Sequence, residues 1–398
     1  MSRQTLHTDI AIIGGGIAGL WALNQLRNRG YSAILFEQGA LGSDQTIGSQ
    51  GMIHGGIKYA LGGAWSGDSQ TISAMPSIWR GCLAGTGKVD LRACKVLSES
   101  FYLWSSASLQ SRLTSFFASK MLRGRVEKLK ADDYPVPLQA AAFHGQVYQL
   151  IDLVLDVPSL VQTLARQQRQ AIFSIDWHSA SLRRDNGRAT LALPHCTVVP
   201  ERLLLTAGSG NETLITALGG AAPAMQRRPL QQVLVKHQYR ENFFAHCMGG
   251  SPSPRLTISS HRTRADEPVW YLGGDLATEG VDNDPQQQID KARRELTELL
   301  PWIDLGRTQW RTLRLDRAEP RQSTLLRPDS AFVGKVDSVH NTLAAWPTKL
   351  TLSPDLADQI QRRLMSDNIL PRYRPDLSLL QSMGQPPIAA PYWDTLFR

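Results

Sequence analysis

Apolar and polar residues follow two rhythms along this chain, and the change from one to the other marks its first elements. Asp9-Ile-Ala-Ile-Ile13 is a short β-branched run, which predicts a strand. Gly14, Gly15 and Gly16 interrupt it. Leu20, Trp21, Leu23 and Leu26 then recur at helical spacing until Gly30, which predicts a helix with a glycine stop. A second apolar run, Ala33-Ile-Leu-Phe36, ends in Glu37. Strand, tight turn, helix and strand within about thirty residues form a βαβ unit.

The turn carries the first candidate chemistry. In Gly14-Gly-Gly-Ile17-Ala18-Gly19, Gly14 permits the turn, Gly16 lets backbone N–H groups approach a pyrophosphate, and Gly19 lets helix and strand pack closely. The helix N-terminus adds N–H donors and the positive end of its dipole. Glu37 is spaced to accept hydrogen bonds from an adenosine ribose, and an acid there disfavours the 2′-phosphate of NADP. FAD and NAD both remain open on this motif alone. The bland alternative is a purely structural glycine turn, against which strand, helix and acid all agree.

Composition then narrows the class. The 398 residues allow two or three domains and a large core, with no repeat, low-complexity tract or Ser/Gly-rich linker. Cys82, Cys94, Cys196 and Cys247 lack zinc spacing, so reduced thiols in a cytoplasmic protein are expected. Ile10 to Leu23 has the apolarity of a signal-peptide core. Asp9 precedes it, however, no small-x-small cleavage site follows, and it is short for a membrane span. Forty-three basic against 35 acidic residues give a net charge of +8. That balance attracts anions without specifying a fold. No nucleic-acid motif accompanies it, so nucleic acid is disfavoured as the partner.

The next segment, from Gly42 to Tyr59, contains Gly48, Gly51, Gly55 and Gly56 and holds no apolar period, so a loop with accessible backbone is expected. Together with the βαβ unit, this loop resembles the FAD-dependent oxidoreductases of the D-amino-acid oxidase and glycine oxidase type. Its Ser49-Gln-Gly-Met-Ile-His-Gly-Gly-Ile-Lys-Tyr59 phrase is similar to the branch containing glycerol-3-phosphate and L-2-hydroxyglutarate dehydrogenases. The resemblance continues in order. Val198 to Gly210 resembles a later FAD-domain strand ending in an Ala207-Gly208 turn, and Val269 to Gly274 a substrate-domain strand. A helical stretch follows from about residue 286 to 300. Trp310-Arg-Thr-Leu-Arg314 is similar to the strand carrying a carboxylate-binding arginine in amine-oxidising members, and Arg327 to Gly334 to a C-terminal signature.

The resemblance implies an α/β fold, α+β overall, in which a Rossmann-like FAD domain is interleaved with an antiparallel-sheet substrate domain. Residues 1–88, 156–218 and 320–398 would form the first, and residues 89–155 and 219–319 the second. It implies FAD, held non-covalently, against Gly14, Gly16, Ile17, Ala18, Gly19, Glu37, Gln38, Thr46, Ser49, Gln50, Gly51, Met52, His54, Ala207, Gly208, Gly334 and Lys349. The expected reaction is hydride transfer from a CH–NH or CH–OH group of a small anionic substrate to flavin N5, with O2 or a quinone as final acceptor.

His54, Arg314 and Lys349 are the candidate catalytic residues. His54 lies in the loop expected at the flavin and could orient substrate, act as a base on an alcohol or bond covalently to the flavin. Arg314 or its neighbour Arg317 offers a guanidinium fork to a carboxylate. Ala344 to Ser353 departs from the family's glycine-rich loop, and Lys349 there could place positive charge beside reduced flavin. The plainer readings are a histidine bonded to its own loop, a surface arginine, a solvated Lys58 and a rebuilt turn. Leu103 to Lys130 has the pattern of a basic amphipathic helix, which raises peripheral contact with the inner membrane face as an alternative to core packing. Other functions kept open are a non-catalytic FAD-binding subunit and a tRNA-modifying flavoenzyme.

Overall fold

The computed structural model describes residues 4–56, 68–106, 126–251, 253–321 and 330–398. The opening unit forms β1 (Gln4–Ile13), α1 (Ile17–Asn28) and β2 (Ala33–Glu37), as expected except that β1 begins well before the Asp9–Ile13 run. The glycine loop then leads into a two-residue strand, β3 (Met52–Ile53), and α2 (Asp68–Leu83) follows.

Three short strands come next, β4 (Val96–Ser98), β5 (Phe101–Ser105) and β6 (Val126–Lys128). They precede β7 (Gln146–Leu150), β8 (Leu153–Leu155) and α3 (Val157–Gln167). The middle of the chain forms β9 (Ile172–Ser174), β10 (Ser181–Asp185), β11 (Arg188–Ala192), β12 (Cys196–Leu205) and α4 (Asn211–Ala217). Four long or medium strands follow, β13 (Met225–Lys236), β14 (Ala245–Met248), β15 (Pro254–Arg262) and β16 (Pro268–Gly273). The last part holds α5 (Asp275–Glu279), α6 (Pro285–Leu299), β17 (Gln309–Pro320), β18 (Phe332–Lys335), β19 (Thr342–Trp346), α7 (Ser353–Ser366) and α8 (Tyr392–Thr395).

One eight-stranded sheet collects β10, β11, β12, β1, β2 and β9 in that order, with β19 beside β12 and β18 beside β19. Its central pairs, β12 with β1, β1 with β2 and β2 with β9, are parallel. Parallel strands are covered on both faces, and the sequence obeys that rule. Ile10, Ile12 and Leu35 pack with α1, α3 and α7, whereas Ala11, Ile13, Ile34 and Phe36 join an apolar cluster on the other side. The segments that meet here come from the start, middle and end of the chain.

The second eight-stranded sheet runs β17-β13-β16-β15-β14-β5-β7-β6. It is antiparallel except where β14 pairs with β5, a departure from the purely antiparallel sheet expected. One face carries Val233, Val235, Leu256, Ile258, Trp270 and Leu272 against Leu276 of α5 and Ala292, Leu296 and Leu299 of α6. The other face looks toward the glycine loop. A small sheet, β3-β8-β4, fits between: Ile53, Leu153 and Leu155 join the core of the first sheet, and Met52 and Val154 pack against Phe101 and Phe244 of the second.

After α7 the chain runs as a strap across both bodies. Tyr31 donates to the Ile369 carbonyl, Asp9 accepts from the Arg372 and Tyr373 N–H groups, and Leu41 bonds Pro387 and Ala389 through its backbone. The strap ends on the second sheet, where Trp393 stacks on His261 at 4.1 Å.

Candidate functional site

The turn after β1 is built by steric necessity. Gly14 has φ of +108°, and a Cβ there would lie 2.6 Å from the Ala207 backbone. At Gly19 a Cβ would stand 2.0 Å from the Gly14 carbonyl oxygen. These contacts fix α1 against the ends of β1 and β12. By contrast Gly16 faces outward: a Cβ there would meet only Thr46 Oγ1 at 3.3 Å, so this backbone is approachable. Thr46 reaches the helix start, its hydroxyl accepting from the Ile17 N–H at 3.1 Å.

Glu37 is buried beside this turn and accepts from the N–H groups of Gly15 at 2.6 Å and Gly39 at 2.7 Å, one on each oxygen. Each carboxylate oxygen keeps a further lone pair for a hydroxyl donor. Gln38 next to it is exposed. Across the turn, Thr206 donates toward the Ile13 and Gly14 carbonyls, and Ala207 N–H donates to Asn211 Oδ1. The Gly208 carbonyl accepts from the Trp346 indole. An open helix start, a buried acid with spare acceptor capacity and a glycine backbone together suit the adenosine and pyrophosphate of a dinucleotide.

From Thr46 the loop passes under the second sheet. Gly51 has φ of +74°, and a Cβ would be 2.1 Å from the Leu155 carbonyl oxygen. Met52 and His54 follow, and the structure brings His54 close to the turn carrying Lys349. Thr351, two residues after Lys349, accepts from the His54 N–H at 3.2 Å and donates to the Met52 carbonyl at 3.2 Å. Trp79 of α2 fixes that turn by donating to the Thr351 carbonyl. The His54 side chain is buried and Lys349 half-buried. The turn itself is rebuilt around Pro347 and Thr348, the latter at φ of +61°.

Arg314 lies elsewhere. Its Nε donates to Gln231 Oε1 and its Nη2 to the Asn283 carbonyl, on the face that packs against α6. Strand alternation explains the result, because β17 pairs with β13 in unbroken register and neighbouring residues point to opposite faces. Leu315 is the residue that touches Gly48 of the loop, and Arg317 shares its face. Of the two arginines expected at the cavity, Arg314 is turned away from the loop and Arg317 is on the loop-facing side. Arg317 stands beside an ion pair between half-buried Arg228 and buried Glu319.

The loop-facing side of the second sheet sets buried polar side chains beside apolar Leu234 and Val269, which the sequence reading missed. Gln50 Nε2 donates to the Tyr271 carbonyl at 2.7 Å and to Ser259 Oγ at 3.2 Å, so this side chain engages the sheet above rather than the turn below. Ser259 Oγ lies 2.9 Å from His261 Nε2, and His246 Nδ1 lies 2.8 Å from Thr257 Oγ1. Burial pushes the His261 imidazole down to about 3, so it is neutral. The available signal was Thr257-Ile-Ser-Ser-His261, where polar residues occupy alternate positions of a strand that is otherwise core.

Gly334 lies in β18, paired with Ala344 of β19, where a Cβ would crowd Phe332. Ser49 is half-buried in the loop. Lys58, Arg327 and most of the basic amphipathic stretch lie outside the described residues. Among the described residues no helix is long and apolar enough to cross a membrane, and no cluster of His, Cys, Asp and Glu could hold a metal ion.

Residues 9–342 match the family described as DAO, FAD dependent oxidoreductase. The chain is 48% identical over 395 residues to the probable FAD-dependent oxidoreductase PA4991 of Pseudomonas aeruginosa, covering 99% of each sequence. The crystal structure of that protein superposes with a TM-score of 0.86 and 43% identity in the structural alignment, over 100% of both chains. Glycine oxidase from Geobacillus kaustophilus gives a TM-score of 0.66 at 15% identity, over 94% of this chain and 97% of that one. L-α-Glycerophosphate oxidase from Mycoplasma pneumoniae, solved with FAD bound, gives 0.63 at 12% identity over 93% and 96%. At these last two identities the likeness is one of fold.

Proposed function

The chain belongs to the DAO family of FAD-dependent oxidoreductases, and from that premise we propose that it oxidises a C–H next to an amine or hydroxyl in a small anionic molecule. Amino acids, hydroxy acids and polyol phosphates are the candidate classes. FAD is the cofactor, and when bound it supplies a hydride acceptor at N5. The observation that carries this reading is the polar, buried face of the second sheet lying over a loop that starts at the dinucleotide turn. In the proposed division, residues 1–88, 156–218 and 320–398 hold the cofactor, and residues 89–155 and 219–319 cover it.

Roles follow from side-chain chemistry. Gly16, Ile17 and Thr46 would serve the pyrophosphate, Glu37 the ribose, and residues 49–54 with Lys349 the ring. Binding would be non-covalent, with His54 orienting substrate and serving as base for a hydroxyl. An amine substrate needs only to bind deprotonated. Arg317 replaces Arg314 as the proposed partner of a substrate carboxylate or phosphate, since alternation gives it the loop-facing side. The His54-Gly-Gly loop supports a hydroxyl substrate of the glycerophosphate and hydroxyglutarate kind.

An anaerobic panel of amino acids, hydroxy acids and polyol phosphates, followed by flavin bleaching, tests the proposal. At least one class should bleach the flavin, and subsequent oxygen or quinone addition should identify the acceptor. The rebuilt turn at Pro347 to Lys349 supports one competing reading, a non-catalytic FAD-binding subunit. No bleaching by any class would favour that reading over ours.

A further inference from the structure

Tyr271 sits fully buried at the centre of the second sheet, with its hydroxyl 2.8 Å from the Gly48 carbonyl and 2.7 Å from the Gln232 side-chain amide. A phenol has one proton to give. The Gly48 carbonyl and Gln232 Oε1 are both within reach of that proton, so the phenol is the donor that ties the loop to the sheet. Burial holds the phenol protonated by pushing its pKa well above 10. Two residues along the loop, the Gln50 amide lies against Gly273, where a Cβ would be 2.9 Å from Oε1. Gln50 donates to the Tyr271 carbonyl and to Ser259, and Ser259 in turn can donate only to a neutral His261. The His261 ring is clamped from behind by Trp393 of the strap at 4.1 Å and 17° between planes. Trp393 also meets the Tyr271 ring edge-on at 6.4 Å. The strap end is itself held, since Arg311 donates to the Leu396 carbonyl and Arg264 N–H to Asp394.

We propose that Tyr271, Ser259 and His261, backed by Trp393, are positioning residues that hold the Gly48–Gln50 segment in its cofactor-binding geometry from across the interface between the two large sheets. This rests on the reading that the loop from Thr46 to His54 lines FAD. The hydrogen bonds are directional and buried, so they fix the loop from above in addition to the Gly48 and Ser49 backbone bonds to Asp44 and Thr46 within it. The strap makes cofactor affinity depend on the last residues of the chain, far in sequence from every cofactor contact.

The test compares four variants of the purified holoprotein, Tyr271→Phe, Ser259→Ala, Trp393→Ala and Thr46→Ala, with Trp393→Phe as the conservative control. For each, the FAD dissociation constant, the visible circular dichroism of bound flavin and the melting temperature of the apoprotein are measured. Tyr271→Phe removes one oxygen and keeps the ring, so it separates positioning from packing. We expect FAD binding weakened about 10-fold by Tyr271→Phe and Trp393→Ala, and about 3-fold by Ser259→Ala, with an altered flavin signal. Trp393→Phe should restore most of the affinity lost in Trp393→Ala. Thr46→Ala, on the turn side of the loop, should weaken FAD independently. If Thr46→Ala weakens FAD while Tyr271→Phe and Ser259→Ala bind it as the wild type does with an unchanged flavin signal, the positioning role is overturned and the loop reading stands. If all four bind as the wild type does, the loop reading fails and the proposal with it.

Discussion

The two large sheets solve the same problem, burial, in opposite ways. The parallel sheet is apolar on both faces, and most of its chemistry is displaced to the strand ends, where Gly14, Glu37, Thr206 and Ala207 converge. The second sheet is apolar on the α6 face, and its other face mixes apolar Leu234 and Val269 with polar side chains. Its other face buries Gln232, Ser259, His261 and Tyr271, each with a partner, in mid-strand. A buried polar group without a partner costs about 1–3 kcal/mol, so this face is worth keeping only where a ligand or a loop must be oriented. One sheet thus exposes backbone at its strand ends, and the other presents side chains to the loop.

The contrast can be broken most severely at the turn. Gly19→Ala puts a methyl group into the Gly14 carbonyl, and we expect FAD affinity to fall about 100-fold or more, since overpacking of a rigid contact costs roughly 1–3 kcal/mol or more. Equilibrium dialysis with FAD would show it, and wild-type affinity would mean that the turn relaxes freely.

Acid probes the other sheet. Burial lowers His261 to about 3 and His237, which follows β13, to about 4. Unfolded, both take a proton near 6.5, whereas the folded chain resists until the lower values. Their stabilising contribution is therefore complete above pH 6.5 and is lost as the pH falls toward 4 and then 3. Linkage gives about 1.4 kcal/mol per pH unit for each histidine, or roughly 4 kcal/mol for the pair at pH 5. Denaturant titrations between pH 7 and 5 should show that slope, and His237→Phe should halve it. A flat profile would mean that the imidazoles are solvated.

Within β17 the comparison becomes one of alternate residues. Arg317→Leu should raise KM for an anionic substrate about 10-fold, equivalent to about 1.4 kcal/mol, and Arg314→Leu should leave KM alone while disturbing packing against Asn283. The reverse ranking would return the role to Arg314. The smallest effect belongs to the outer face, where Arg255 pairs with Glu295 and Glu298. Glu298→Gln should cost about 0.5 kcal/mol or less, because its carboxylate is largely in solvent. A loss above about 1 kcal/mol in urea unfolding would show that this network matters more than exposed pairs do.

The sequence made the local elements legible and left the relations between them hidden. The first βαβ unit, the strand from Val269 and the helix starting near residue 286 all appear where periodicity and resemblance put them. These depend on neighbours within one turn or one pleat. Arg314 shows where that reach ends: its strand was evident, but which pleat faces the loop depends on pairing with β13, some eighty residues away in the chain. Gln50 was expected to face the cofactor, and its amide is used instead by Tyr271 and Ser259, partners that no local pattern indicates. Trp393 gave no periodic signal at all. Its place is set by the strap, whose short helical turns are pinned by a few backbone bonds to Leu41 and Ser174 rather than by a sheet or a long helix.

The Thr351 hydroxyl that joins Met52 to His54 spans 297 residues of sequence, and the Leu41 backbone is completed by Pro387 and Ala389. During synthesis the first dinucleotide-binding elements leave the ribosome long before these partners exist. Closing the cradle therefore rests on contacts of very high sequence separation, which form late and at a loop-closure cost that the local βαβ elements do not carry.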